Sequence, residues 1–547
     1  MVPPHRAATH SFGNLGMMRR VTILLAATMF AAGAASAANA KSLGFCVAQN
    51  PEGFDPAAHI TMATFDASSQ MLYNRLVEFE RGTTKLIPGL AETWDVNEDG
   101  MEFIFHLRAN VKFHSTYFYK PTRGLNADDV VFSLKRQMDR KNPYFDYAGG
   151  RWSYFDGMAM GALISAVDKV DDNSVRIRLT RPDPAFLADM AMDFASIVSK
   201  EYADTLLAQK KRDNLDRMPI GTGPYQFVGY QPDAIINYRA NPDYWRGPQA
   251  IDAISFQISP DPAERLKLYK ARDCQVIGDP DAATLAALKD DAGTSLIKAT
   301  ALDVAYLAYN TKQKPFDDAR VRKALNLAID RRAIVAAVYG GNAVVARSPL
   351  PPGIAAHADV VADDAANPEA AKKALADAGI TTLKLKILTT TVARSYDPDP
   401  VRVANMIKSD LANARVEAEV VSADLGPFIR GSLAADRDGA VLFGWTSDNG
   451  DPDNFLGTLL GCDTVGIANR ALWCNQPFNE AVMKARTISS PEARAALYGD
   501  AQKAFADQAP WLAIAHTTMT VPVAKTVKNY VADPFGHHNF ASIDVAE

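Results

Sequence analysis

Leu383-Lys384-Leu385-Lys386-Ile387-Leu388 alternates apolar and charged residues, the pattern of a strand with one buried face. After the turn-rich Tyr396-Asp397-Pro398-Asp399-Pro400 comes a helix with Val403, Ile407 and Leu411 on one side. Val416-Glu417-Ala418-Glu419-Val420-Val421 is a second strand. Asp424 stands where an N-cap belongs, ahead of a helix with Leu425, Phe428, Ile429 and Leu433 on one face. Ala440-Val441-Leu442-Phe443-Gly444-Trp445 is a third strand, apolar enough to be buried on both faces. This β-α-β-α-β order predicts an α/β fold with parallel strands and right-handed crossovers. In such sheets ligands bind beyond the carboxyl ends of the strands. The segments leaving those ends are Thr389–Tyr396 and Thr446–Asn454, and they put Arg394 and Asp448 on one rim. A ligand carrying both charges, such as a peptide zwitterion, suits that pair. The same two residues also read as surface groups that bridge each other. Asp451 and Asp453 read as turn-formers beside Gly450 and Pro452.

Outward from this block, a helix is expected over 318–339, with Val321, Leu325, Ala328, Val335 and Val338 as its core stripe and Gly340-Gly341 as its stop. Strand-like 304–309 and 512–515 bracket the block and read as crossings between two lobes. A chain of 547 residues is too long for one core, so at least two packed lobes are expected. Apolar residues at 48% and charged residues at 22% are ordinary for a folded protein. A net charge of −5 gives no basic surplus for nucleic acid or an anionic membrane.

Residues 1–40 hold three Arg and no acid. Arg19-Arg20, the short apolar run Val21–Phe30 and the small residues ending Ala38-Asn39-Ala40 describe a cleavable signal peptide. Cleavage is expected after Ala40, with Ala35-Ser36-Ala37 as the second site and Met17 or Met18 as an alternative start. The apolar run is short for a membrane anchor, and no Cys at the cleavage point offers a lipid attachment. Removing those three Arg from 58 basic residues leaves 55 against 63 acidic, a net −8. Export gives Cys46, Cys274, Cys462 and Cys474 an oxidising compartment, and an even count there predicts two disulfides. Of three connectivities, the one pairing Cys462 with Cys474 locally, and Cys46 with Cys274, is preferred.

Catalytic signatures are missing. There is no phosphate loop, no G-x-S-x-G elbow and no H-E-x-x-H. Gly221-Thr222-Gly223-Pro224 reads as a turn, Asp128-Asp129 and Asp171-Asp172 as helix starts and turns, and His537-His538 as a poor metal pair. No catalytic residue, metal or cofactor is expected. A secreted enzyme would need groups that converge only in space.

Seven blocks carry a resemblance, in chain order. They are Pro51–Pro56 (PEGFDP), Tyr73–Phe79 (YNRLVEF), Ile87–Trp94 (IPGLAETW), Phe105–Arg108 (FHLR), Leu125–Val130 (LNADDV), Pro219–Pro224 (PIGTGP) and Asp448–Phe455 (DNGDPDNF). Together they resemble family 5 bacterial extracellular solute-binding proteins, the peptide-binding components of ABC importers, and most of all the dipeptide-binding members. The likeness runs over 41–547. It implies a two-lobe periplasmic-binding-protein fold, type II and peptide-binding subclass, with an extra subdomain in the first lobe and two interlobe crossings. The boundaries expected are a signal peptide over 1–40, lobe I over 41–302 with an inserted subdomain at about 73–220, lobe II over 305–515 and a C-terminal return to lobe I over 518–547.

In those members the Asp after the Gly-Trp strand receives the ligand's α-ammonium, here Asp448, and the Arg before the Tyr-x-Pro-like turn receives its carboxylate, here Arg394. Trp445 and Tyr396 would line the cleft, and both read equally well as core residues. The four Cys fall where such members form two disulfides, in the pairing above. The resemblance implies a monomer in a Gram-negative periplasm whose partners are a dipeptide and the importer's membrane permease subunits. Two stretches depart from the family pattern: His59-Ile60-Thr61-Met62-Ala63, where small residues are usual, and Val276–Asp281. Both bear on the first-lobe wall and leave a longer peptide, a glutathione-like compound, aminolevulinate or haem as alternative ligands.

Overall fold

The computed structural model describes residues 40–147, 149–488 and 490–546; the expected signal peptide, apart from Ala40, lies outside them. The 383–445 block folds as its pattern dictates. Strand Leu383–Thr390 pairs in parallel with both Val416–Ala423 and Ala440–Thr446. Leu383, Leu385 and Ile387 point into the core, while the outward Lys384 meets Glu417 of the neighbouring strand at 2.7 Å. Such cross-strand pairs fix register, because a one-residue slip would turn the apolar set to solvent. Helix Pro400–Asn413 is capped by Asp399, which accepts the Arg402 N–H, and buries Val403, Ile407 and Leu411.

These strands belong to a twelve-stranded sheet running from Val416–Ala423 through Leu383–Thr390, Ala440–Thr446, Asp303–Tyr309 and Trp511–Ala524. It continues through Val276–Ile277, Ser42–Val47, Ala253–Ile258, Ile235–Ala240 and Tyr225–Gln231, with Thr294–Thr300 and Ala343–Val345 also paired to Trp511–Ala524. The apolar core divides along this path. One cluster draws on segments between Leu43 and Val276 and between Val521 and Ile543. Two others draw on residues from Leu302 to Ala515. The chain passes between the two halves at Ala301-Leu302 and near His516-Thr517.

Strand 303–309 therefore lies wholly in the second half, as does the start of Trp511–Ala524, where residues 511–515 pair with 305–308. They flank the crossings rather than form them. The buried Asp303 carboxylate ties the two passages together, accepting the Thr517 N–H at 2.8 Å and the Thr517 hydroxyl. The expected helix over 318–339 is two helices, Ala319–Ala328 and Arg331–Val338. Ile329 is extended, and the Asp330 carboxylate caps the Ala333 N–H while the Asp410 side chain holds the Asp330 N–H. An Asp able to cap a new turn overrides the continuous apolar stripe.

In the first half, Ala91–Val96, Glu102–Leu107, Ser174–Leu179 and Ile164–Asp171 form a separate four-stranded sheet. Helix Ala127–Met138 stands beside it and starts with a capping box of Asn126 and Asp129, so Asp128-Asp129 open a helix. Asp171 accepts the Asn173 N–H in the turn between two of the strands. The Gly221-Thr222-Gly223 turn passes so close to the 71–73 backbone that a Cβ on Gly221 would lie 1.9 Å from the Leu72 carbonyl oxygen. Cys46 is bonded to Cys274 and Cys462 to Cys474.

Candidate functional site

The loops leaving Leu383–Thr390 and Ala440–Thr446 lie side by side, joined by Ser395 Oγ and Thr446 Oγ1 at 3.3 Å. The first is a tight turn in which Arg394 and Asp397 exchange backbone hydrogen bonds of 2.8 and 3.0 Å. The Arg394 guanidinium is exposed, 5.9 Å from the Tyr396 ring centroid. The Tyr396 ring lies against the Gly444 backbone, where a Cβ would sit 2.3 Å from Tyr396 Cδ2, and meets Phe443 edge-on. At 4% exposure Tyr396 is a core residue rather than a cleft wall. It sets the floor under the Arg394 turn.

The second loop is organised by Asn454, which the sequence does not single out. Its Oδ1 accepts the Trp445 indole N–H at 2.9 Å and the Asp448 backbone N–H at 3.1 Å. Its Nδ2 donates to Asp448 Oδ2 at 3.1 Å. Burial pushes the Asp448 carboxyl above its usual range, and the Asn454 amide opposes that shift. Trp445 is thereby half-buried and fixed by a polar contact. Neither Arg394 nor Asp448 has an ion-pair partner among the described residues, so the two do not bridge each other. Asp451 and Asp453 do more than shape the turn: Arg494 grips Asp451 through two bonds of 2.9 Å, and Arg486 holds Asp453 at 2.9 Å.

This loop is also seated on the first half of the molecule. Asn449 Nδ2 donates to the buried Asp189 at 2.7 Å. Gly450 has φ +70°, and a Cβ there would lie 2.9 Å from Phe535 and 3.0 Å from Thr84. Asp448 consequently faces a cavity of about 340 Å³ whose other walls come from the first half, among them Asn74, Arg75, Asp193 and His537. Tyr154, also from that half, is pushed up to about 12 by burial and by the charges of Asp448 and Asp193. Arg394 and Trp445 stand outside this cavity. The arrangement offers a half-buried, unpaired carboxylate at an interlobe cavity and an unpaired cation on the adjoining loop.

Of the departing stretches, Ile60 and Met62 are 53% and 40% exposed, while Val276 and Ile277 are buried core strand. Glu52 accepts the Ile60 N–H and the Thr61 hydroxyl, both at 3.2 Å, pinning that loop. His538 is buried against Tyr530, with Nδ1 and the phenol oxygen 2.6 Å apart, and His537 faces Asp193. No cluster of metal-ligating side chains occurs among the described residues, and none of their helices is long and apolar enough to cross a membrane.

The sequence matches the family model "Bacterial extracellular solute-binding proteins, family 5 Middle" over residues 85–466. It is 44% identical to the dipeptide-binding protein of Escherichia coli (strain K12), over 98% of this chain and 99% of that protein. It is 42% identical to heme-binding protein A of Haemophilus influenzae, over 92% of each. Among solved structures, a dipeptide-binding protein from Pseudoalteromonas sp. SM9913 in complex with Met-Leu is similar with a TM-score of 0.71. That match has 34% identity and covers 92% of this chain and 100% of that one. The architecture is the two-lobe α/β fold of type II periplasmic binding proteins. The chain belongs to the family 5 bacterial extracellular solute-binding proteins.

Proposed function

We propose that this protein captures dipeptides between its lobes and delivers them, without chemical turnover, to the membrane permease subunits of an ABC-type importer. It does so as a periplasmic monomer after removal of residues 1–40. Lobe I comprises 41–302, with the inserted subdomain at about 73–220, and takes back the chain over 518–547; lobe II comprises 305–515. The observation that carries the reading is Asp448, an unpaired carboxylate facing an interlobe cavity. Asp448 receives the ligand's α-ammonium and Arg394 its carboxylate. Trp445 lines the approach, and Tyr396 supports the Arg394 turn from beneath. Two charges at a set spacing measure ligand length, while a bridging water costs little, so side-chain space stays permissive. A charged hydrogen bond contributes about 1.5–3 kcal/mol net, and an Arg fork adds direction. Ligand contacts to both lobes favour the closed state, which the permease then recognises.

Relatives named for dipeptides support the ligand class. A second reading keeps the fold and changes the ligand to haem; it is favoured by the relative named for haem and by the exposed Ile60 and Met62. Titrating Ala-Ala and haem into the ligand-free mature protein and its Asp448→Asn variant separates the two. Ala-Ala should bind the wild type and bind the variant tenfold to a hundredfold more weakly. Haem binding with Ala-Ala silent would replace the first reading by the second.

A further inference from the structure

Arg75 is 8% exposed and lines the cavity that Asp448 faces. Its Nε and Nη1 are buried without a hydrogen-bond partner among the described residues. The nearest carboxylate, Asp193, stands 3.8 Å from Nη1. Asp193 is also engaged elsewhere: Oδ1 accepts the Ser69 hydroxyl at 2.5 Å and the Gln70 amide at 3.2 Å, and Oδ2 lies 3.3 Å from His537 Nε2. Glu78, on the same cavity, is taken by the Asn74 amide and Arg246. Burial pushes the Asp533 carboxyl up, toward its neutral form. His537 Nδ1 is a further buried atom without a partner. A buried guanidinium with open donors is costly unless something accepts from it.

We propose that this cavity is a subsite for a carboxylate on the ligand's N-terminal residue, with Arg75 as the group that receives it. The proposal rests on the reading that Asp448 holds the ligand's ammonium. An ammonium on Asp448 directs the atoms of that same residue into the cavity, toward Arg75. The chemistry selected is one residue bearing both an ammonium and a carboxylate. An N-terminal Glu or Asp supplies the acid from its side chain, and a γ-linked glutamyl residue supplies it from its α-carbon. Arg394 remains the partner of the C-terminal carboxylate.

The test is calorimetric titration of the ligand-free mature protein with Ala-Ala, Glu-Ala, freshly dissolved Gln-Ala and γ-Glu-Ala. Glu-Ala or γ-Glu-Ala should bind on the order of tenfold more tightly than Gln-Ala, and whichever of the two is tighter names the source of the carboxylate. Arg75→Gln should erase that preference. Equal binding of all four ligands would overturn the subsite and leave the dipeptide reading standing. Silence from all four would overturn both. The wild-type comparison of Glu-Ala with Gln-Ala decides the matter even where the variant fails to fold.

Discussion

Asn454 illustrates how a single amide can organise a loop at the candidate site, since it holds Trp445 and both the backbone and the carboxylate of Asp448. Asn454→Ala should weaken Ala-Ala binding by about tenfold, read by calorimetry, and lower the melting temperature as well, because the Trp445 and Asp448 N–H groups lose their acceptor; unaltered affinity would remove Asn454 from the site. Gly450 carries a different constraint. Its φ of +70° and its wedge between Phe535 and Thr84 predict that Gly450→Ala destabilises the protein by about 1–3 kcal/mol, measurable by chemical denaturation. Asp448 and Arg394 were expected on one rim because strand ends in an α/β sheet point to ligand sites and because a family motif surrounds Asp448; the structure sets their loops side by side, with Asp448 at the cavity and Arg394 outside it, and their ligand roles remain the proposal above. The contacts of Asn454 and the placement of Arg75 on the cavity wall were not legible. A hydrogen bond nine residues along a loop, or a buried guanidinium with open donors beneath another segment, depends on packing that no local period encodes. Tyr396 stayed open between cleft and core for a related reason: a tyrosine beside a cleft loop has the same sequence signature whether its ring faces the cleft or the core, and at 4% exposure it is core.

At the scale of elements, the Arg394 turn contains a buried acid that titrates near neutrality. Burial pushes Asp397 from its ordinary 3.8 up to about 7. The folded state thus holds this proton more tightly than the unfolded chain does. The stability it contributes is complete below about pH 4 and is lost as pH rises through about 7. Asp397→Asn removes that dependence. The melting temperature of the wild type relative to the variant should fall steadily across this window; a constant difference would show that Asp397 ionises as an exposed acid. The strands of the 383–445 block were legible because alternation of period two is a strong local signal, with Lys384 and Glu417 reinforcing register. The break at Ile329-Asp330 was hidden because an apolar stripe at helical spacing continues across it. Only the capping by Asp330 and the bond to Asp410 disclose two helices. Asp424, read as a cap, makes no side-chain cap and instead accepts the Thr391 hydroxyl at 3.1 Å.

Over the whole molecule, the two disulfides close loops of very different length, with sequence separations of 228 and 12 residues. In the chain-entropy model the long closure contributes about 5 kcal/mol and the short one about 3 kcal/mol. Replacing Cys46 and Cys274 by Ser should therefore destabilise the protein more than replacing Cys462 and Cys474, as read by denaturant melts; the reverse order would contradict the loop-length argument. The two-lobe plan was legible from chain length and from the co-linear family blocks. The exact crossings were not, because no break in the chain marks them: strand Asp303–Tyr309 begins directly after Leu302, and Trp511–Ala524 runs unbroken through His516-Thr517. The central claim is that Asp448 and Arg394 together read the two ends of a dipeptide. It is tested most directly by calorimetric titration of the ligand-free mature protein with Ala-Ala, N-acetyl-Ala-Ala and Ala-Ala amide. Tight binding of Ala-Ala, with a loss of at least tenfold from either cap, is the predicted result. Equal binding of the capped and free forms would contradict it.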